Sequence, residues 1–405
     1  MLDRTGIATT TTQAAFGRRI EIVRDRKRFD ELEGAWNDLF ERVGRAQNVF
    51  QTYNWLWHWA NHYLDGSRRL AIVLGWNGDT LEMIWPLVIS GRAPFRRLCW
   101  MGEPVSQYGD VIIAESIDHR DWLHTGWNAV RKLGADVAHL RKVRDDSIAS
   151  RILFVSGVGV ASRDQAPFLA LASARDFAAY EKRYPSKTRS SRRRYLRRLQ
   201  GEGEVTFAAC GASPQGRDLA RTAIRHKKDW VRNHGVIAPA LMDPRFENFF
   251  ADVADGQTHP VPMRVAAVEC NGTPVGIELS FACGDRLFGH VISHHPDFEK
   301  KGAGSVLAEY AVKAAHEGGY AIYDLLAPAD PYKSEWADGH MGVRDWAAPL
   351  SLAGILYTRL WLCGLRPRVK HALDNAPKGL GKIGALLLGG TRLRPASRDA
   401  CSQNA

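Results

Sequence analysis

The 405-residue chain has only six cysteines, at positions 99, 210, 270, 283, 363 and 401. None forms a C-x-x-C pair and none clusters with histidine at zinc spacing. A disulfide scaffold and a zinc module are therefore excluded, and reduced thiols in a cytosol are the expectation. The N-terminal MLDRTGIATTTTQAAFGRR lacks an apolar run of signal-peptide length, so export by that route is not expected. Long apolar runs are missing too. The longest charge-free stretch, Trp346 to Thr358, falls short of the roughly 20 residues that a membrane-spanning helix needs. There is no G-x-x-x-x-G-K-[ST] and no G-x-S-x-G, which removes a P-loop and a hydrolase nucleophile elbow. Gly379 to Gly384 fits G-x-G-x-x-G but follows Pro377-Lys378 rather than a strand, so a dinucleotide-binding unit does not fit.

What is present is a chain of 45.1 kDa with 45% hydrophobic residues, long enough for two domains with their own cores. Its formal net charge is +11, and nine of those charges fall between Lys182 and Arg198, in KRYPSKTRSSRRRYLRR, which has no acidic residue. The rest of the chain is close to neutral. With Ser186 as a cap after Pro185, this run reads as a helix: Arg189, Arg193 and Arg197 share one face, and Tyr195, Leu196 and Leu199 make a narrow apolar stripe. A solvated face, a site for an anionic small molecule or carrier, and a nucleic-acid or lipid patch all remain open for it.

Residues 1–17, Thr-rich and polar, are expected to be a disordered tail. A strand at Arg19 to Val23 leads into a helix at Phe29 to Val43. Trp55, Trp59 and Tyr63 then recur every fourth residue, as one buried helix face requires. Two β-like runs flank Asn77-Gly78-Asp79, a hairpin signal because Asn and Gly tolerate positive φ. Further strands are expected at FRRLCWM, DVIIA, Asp136 to Leu140 and Arg151 to Phe154, with a helix from about Asp118 to Leu133. The second half repeats this grammar, with a hairpin at Asn271-Gly272, 194 residues beyond the first. The offset predicts two copies of one α/β unit. The expected domains are 18–170 and 171–348, followed by a helical, basic extension over 349–405. That extension either packs as a helix or touches a membrane surface through Leu360, Trp361 and Leu362.

The segment from Leu287 to Trp336 reads strand, glycine-containing loop, helix, strand, loop. Gly302-Ala303-Gly304 stands at the helix start, where small residues let an anion approach backbone N–H groups that have no intrahelical partner. Asp324 interrupts the apolar strand AIYDLLA and is either a buried acid satisfied by partners or a general base. Tyr332-Lys333 follows a turn at Asp330-Pro331. His290, His294 and His295 lack supporting carboxylates or cysteines at metal spacing, so no metal is expected there.

Here the chain resembles the GNAT acyltransferase superfamily, whose acyl-CoA loop follows Gln/Arg-x-x-Gly-x-Gly/Ala; the match is Glu299-Lys300-Lys301-Gly302-Ala303-Gly304, with Glu299 departing from the pattern. It is more specifically similar to the CelD/BcsL branch of tandem-GNAT, FemAB-related proteins. That likeness rests on Phe50-Gln51-Thr52 with Trp55 and Trp59, Lys187 through Arg198, Ala303-Gly304, Tyr323-Asp324, Tyr332-Lys333 and Trp336. The resemblance implies two tandem GNAT-like mixed β-sheet units flanked by helices, the second carrying the donor site. It implies an acyl-CoA co-substrate, most simply acetyl-CoA, and no metal. Gly302, Ala303, Gly304 and Ser305 would hold the pyrophosphate, and the strand at His290 and Ile292 would meet the thioester. Asp324, Tyr332 and Lys333 would carry catalysis, and Lys187, Arg189, Arg193, Arg197 and Trp336 would bind the acceptor. The implied acceptor is a polar amine or hydroxyl, saccharide-like, in polysaccharide or cell-envelope synthesis. A FemAB-like aminoacyl transferase using charged tRNA, and a non-catalytic acyl-CoA- or anion-binding protein, are the alternatives.

Overall fold

The structure, a computed structural model, describes residues 12–13, 17–92, 95–115, 119–236, 238–365 and 368–369. Nearly all of the expected 1–17 tail, and the expected extension beyond 369 with its glycine motif, lie outside the described residues. The fold is α/β, with mixed sheets flanked by helices, and it divides into two compact units. One takes the chain up to Gln165 together with Met341–Thr358, and the other takes Ala166–His340 and the chain from Arg359.

The first unit begins with strand β1 (Arg18–Val23), then helices α1 (Glu33–Val43) and α2 (Tyr53–Tyr63). Trp55, Trp59 and Tyr63 on α2 are fully buried, as their spacing predicts. Strands β2 (Ile72–Asn77) and β3 (Thr80–Trp85) form the antiparallel hairpin at Asn77-Gly78-Asp79, with Gly78 at φ 59°. After Pro86 the chain continues as β4 (Leu87–Ser90), antiparallel to β5 (Arg97–Trp100). Helix α3 (His119–Arg131) then connects β5 to β6 (Val137–Arg144), which pairs with it in parallel.

Arg151 to Phe154, expected as a strand, lies in helix α4 (Ile148–Val155). The reason is local. The Ser147 hydroxyl accepts from the Ser150 amide at the helix start, and a run of four apolar residues carries no period that separates a helix from a strand; in the helix Ile152 and Leu153 are buried while Phe154 and Val155 are exposed.

In the second unit, strand β7 (Gly159–Ala170, whose last five residues belong here) precedes the basic helix α5 (Ser186–Gln200). Pro185 occupies the cap position and no side chain caps the helix, so the expected Ser186 cap is replaced by Ser186 as the first helical residue. Strand β8 (Val205–Cys210), helices α6 (Pro214–Asn233) and α7 (Pro244–Asp255), and strands β9 (Met263–Cys270), β10 (Thr273–Cys283) and β11 (Arg286–His294) follow. Helix α8 (Ala303–Glu317) returns the chain to β12 (Ile322–Asp324), parallel to β11 and antiparallel to β7. Val306, Leu307, Ala311, Val312, Ala314 and Ala315 form the buried stripe of α8. Burying each of the three larger ones contributes about 1.5–3 kcal/mol. The short helix α9 (Pro331–Ser334) closes this stretch.

Both units therefore run strand, helices, antiparallel hairpin, third strand, helix, parallel strand. The turns at Asn77-Gly78 and Asn271-Gly272 occupy the same place in each order. One boundary differs from the expected 171–348 domain: from Met341 the chain belongs to the first unit, because strand β13 (Gly339–Pro349) pairs antiparallel with β6 from Val343↔Arg144 to Pro349↔Val137. Helix α10 (Leu352–Leu356) follows. Of the three residues named for a membrane contact, Leu362 is buried while Leu360 is exposed. Among the described residues no helix is long and apolar enough to cross a membrane.

Candidate functional site

The register of β11 shapes the site. Against β10, Val291 stands opposite Leu279 and Gly289 opposite Ser280, so His290 is an extra residue with none opposite it: a β-bulge. On its other side β11 pairs with β12 only from Arg286↔Ile322 to Phe288↔Asp324. From Gly289 to His294 the strand continues without that neighbour. The two parallel strands part at the bulge.

The chain leaves this open end of β11 and enters α8 through Gly302, which lies at φ 89°. An L side chain adopts that conformation rarely, so glycine is required there. The loop uses the amides of Gly302, Ser305 and Val306 on its own carbonyls, at 3.2, 3.0 and 3.1 Å. Among the described residues nothing accepts from the amides of Ala303 and Gly304, and they point as the first donors of a helix do. His294 stands beside Gly304, where a β-carbon would lie 3.2 Å from its Nδ1. Ile292 packs with Leu307 under the loop, and Ser305 is partly exposed. His290 lies elsewhere, its ring against Phe250 at 5.0 Å and Phe281 at 5.7 Å.

Glu299, the departure from the acyl-CoA pattern, is engaged by α6. Its carboxylate accepts from Trp230 Nε1 at 3.2 Å and stands 3.2 Å from His234 Nε2. Nearby, His226 is held down to about pH 4, first by burial and then by the charge of His295.

The basic helix α5 lies along the same loop. Tyr195 is against Gly302, Arg198 donates to the Lys300 carbonyl at 3.0 Å, and Leu199 shares a core with Ala303, Val306 and Leu307. Lys187, Arg193 and Arg197 are exposed and Arg189 is half-buried. None of these four makes an ion pair among the described residues. The expected donor loop and the expected cationic helix are thus neighbours.

Asp324, Lys333 and Leu326 form a second group. Asp324 is buried, pairs with Arg286 at 3.4 Å and accepts from the Leu326 amide at 2.9 Å. Lys333 is buried too and donates to the Leu326 carbonyl at 2.8 Å. Tyr332 is exposed on α9, while Trp336 is buried against Arg192.

Sequence reasoning passed over Glu278. It sits on β10, 1% exposed, with Oε1 unpartnered; burial pushes its carboxyl up to about 8, although Arg264 pulls it down. The Tyr323 hydroxyl is likewise unpartnered, and both oxygens crowd Gly289, where a β-carbon would lie 2.8 Å from the hydroxyl and 3.0 Å from the carboxylate. A carboxylate inside the apolar run VGIELSF was the available signal, the same one that drew notice to Asp324. Among the described residues no group of three His, Cys, Asp or Glu side chains is arranged to hold a metal ion.

Part of this unit matches a known domain, and the structure as a whole is similar to solved ones. Residues 186–334 match the family model for the Acetyltransferase (GNAT) domain. The structure is similar to that of FemX, with a TM-score of 0.56 at 10% identity over 84% of this chain and all of that one. The fold as a whole is thus similar to that of FemX, and within it residues 186–334 match a GNAT domain. A second similar structure is the C-terminal domain of an Agrobacterium fabrum protein assigned as a lysylphosphatidylglycerol synthetase, with a TM-score of 0.52 at 12% identity over 82% of this chain and 95% of that one. L-PGS from Bacillus licheniformis, with a TM-score of 0.50 at 13% identity, covers 81% and 95%. No curated protein sequence matches.

Proposed function

We propose that the second unit transfers an acyl group, most simply acetyl, from coenzyme A to an amine or hydroxyl of a polar acceptor. The observation that carries this is the opening of the α8 N-terminus, with the Ala303 and Gly304 amides unengaged, where β11 has parted from β12. Two amides, the helix dipole and the cations of α5 make that end suited to a diphosphate. The carboxylate of Glu299, drawn to Trp230 and His234, is occupied by α6.

In this reading the parted strand β11 lines the acyl group and offers backbone N–H to the thioester oxygen, where charge develops. The acceptor attacks the thioester carbon, the tetrahedral intermediate collapses, and the sulfur leaves as a thiolate that takes a proton from Tyr332. Asp324, tied to Arg286 and Leu326, receives the acceptor's proton or fixes the loop that carries Lys333 and Tyr332. Lys333 and Trp336 line the acceptor side. A saccharide acceptor in polysaccharide or cell-envelope synthesis is the finer reading, taken from the CelD/BcsL resemblance.

Calorimetry with acetyl-CoA and longer acyl-CoAs tests the donor. Binding by the native chain that is lost in Gly304→Leu supports the assigned loop; no heat with any acyl-CoA at millimolar concentration removes the proposal.

A second reading, aminoacyl transfer from a charged tRNA, is favoured by the exposed, unpaired Lys187, Arg193 and Arg197 on the helix whose C-terminal half packs on the donor loop. It predicts that binding weakens steeply with salt, by a slope of roughly 0.7–0.9 per phosphate contacted.

A further inference from the structure

Arg192 is a buried cation without a counter-anion. It is 6% exposed on α5, and its guanidinium carbon stands 3.4 Å from the centre of the Trp336 ring and 4.0 Å from that of Tyr184. The rings are held in turn, since the Tyr184 hydroxyl donates to the Trp336 carbonyl at 3.0 Å. Nη1 of Arg192 is buried with no acceptor, and so, one turn earlier, is Nε of Arg189. The carboxylates whose charge reaches Arg192 are Glu309 on α8 and Glu181, and neither comes within the 4.0 Å of an ion pair.

Taking a guanidinium out of water is costly unless acceptors replace the lost hydration. Aromatic faces offset part of that cost and the Tyr184 hydroxyl attracts the guanidinium, yet Nη1 is still left without an acceptor. Burial accordingly pulls Arg192 below the usual arginine range. Two aromatic walls thus fix the plane of a cation that has an N–H left over, and a second arginine with an N–H left over lies on the same helix.

We propose that Arg192 and Arg189 form a subsite for an oxyanion of the substrate, a carboxylate or a phosphate, between α5 and the loop that bears Trp336. The guanidinium fork matches the paired oxygens of either group, which an ammonium does not. The subsite rests on the acceptor half of the proposed function and is independent of the donor half. Glu309, which marks its level on α8, is seven residues beyond Gly302, about 10 Å along the helix.

Thermal unfolding in inorganic phosphate, pyrophosphate or acetate, each against chloride at equal ionic strength, tests the subsite. Phosphate or acetate is expected to raise the midpoint of the native chain by about 2–4 °C and that of Arg192→Met not at all. Without anion, Arg192→Met is expected to unfold at the native temperature or above it, because an unpaired buried charge has gone. Gly304→Leu is expected to keep the anion shift, which separates failure of the subsite from failure of the donor loop. A shift with phosphates alone assigns a phosphorylated acceptor, and a shift with acetate alone assigns a carboxylate. Should Arg192→Met not fold, Arg192→Lys, which keeps the charge and loses the fork, is expected to lose most of the shift. The proposal is overturned by an absent anion shift in the native chain or by a full shift in the variant. It is also overturned if Arg192→Met and Glu309→Gln both destabilise and do so non-additively, since Arg192 is then half of an internal ion pair.

Discussion

Tyr195 lies so close to Gly302 that a β-carbon at 302 would stand 2.5 Å from the ring carbon Cδ1. This contact fastens the basic helix to the first residue before α8. Arg198, which donates to the Lys300 carbonyl, therefore lies on the same loop that presents the amides of Ala303 and Gly304.

Gly302→Ala is expected to destabilise the second unit by about 1–3 kcal/mol, through a φ that alanine adopts poorly and through the tyrosine ring. Tyr195→Ala in the same chain removes the steric part only. Urea unfolding of the two single variants and the double variant measures the split, and simple additivity would contradict the contact.

Glu278→Gln tests the buried carboxyl on β10. Unfolded, this acid has its ordinary value of 4.5; folded, burial raises it to about 8. Between those values the folded chain holds a proton that the unfolded chain has released, so stability is full below the lower value and falls as pH rises through the window. The loss by pH 8 is roughly 3–5 kcal/mol. Unfolding midpoints measured from pH 5 to 8 are expected to fall in the native chain and to flatten in Glu278→Gln.

Asp324→Asn removes one partner of a buried ion pair and leaves Arg286 behind. A loss of about 3 kcal/mol is expected. Leucine at 324 combined with methionine at 286 is expected to recover much of it. Denaturation of the single and double variants decides, and full stability in Asp324→Asn would show that the pair contributes nothing.

In the first unit, Asp110 accepts from the amides of Val111 and Ala149 at 2.8 Å, from Ile148 at 3.3 Å, and from Asn48 at 3.2 Å. Asp110→Ala strands those donors in the core, and a loss of about 2–4 kcal/mol is expected. Hydrogen exchange at the Ile148 and Ala149 amides is expected to quicken more than at β2.

The parts of this fold that were legible in the sequence are those in which one residue type has a single physical use. Asn-Gly at 77 and 271 marks hairpins because of positive φ, and glycine at 302 marks a helix entry for the same reason. Arg192 was hidden because periodicity assigns a face only relative to neighbours, and in a run of nine cations the inward arginine looks like the outward ones. What selects it is the distant pair Tyr184 and Trp336. Lys333 was legible as a candidate, but its burial was not: its ammonium donates to the carbonyl of Leu326, a residue at a φ of 60° that nothing in the sequence signals. The run Ile152 to Val155 misled because four apolar residues carry no period.

Strand β13 reaches the sheet of the first unit only after all of Ala166–His340 has been laid down. During synthesis the nascent first unit must wait, with the edge of β6 uncovered, while an entire second unit emerges. Cutting the gene at the apparent midpoint would thus yield an N-terminal piece with an open sheet edge, prone to pairing with its own copies. Separating the units cleanly would require excising the second from within the first and rejoining the flanking ends.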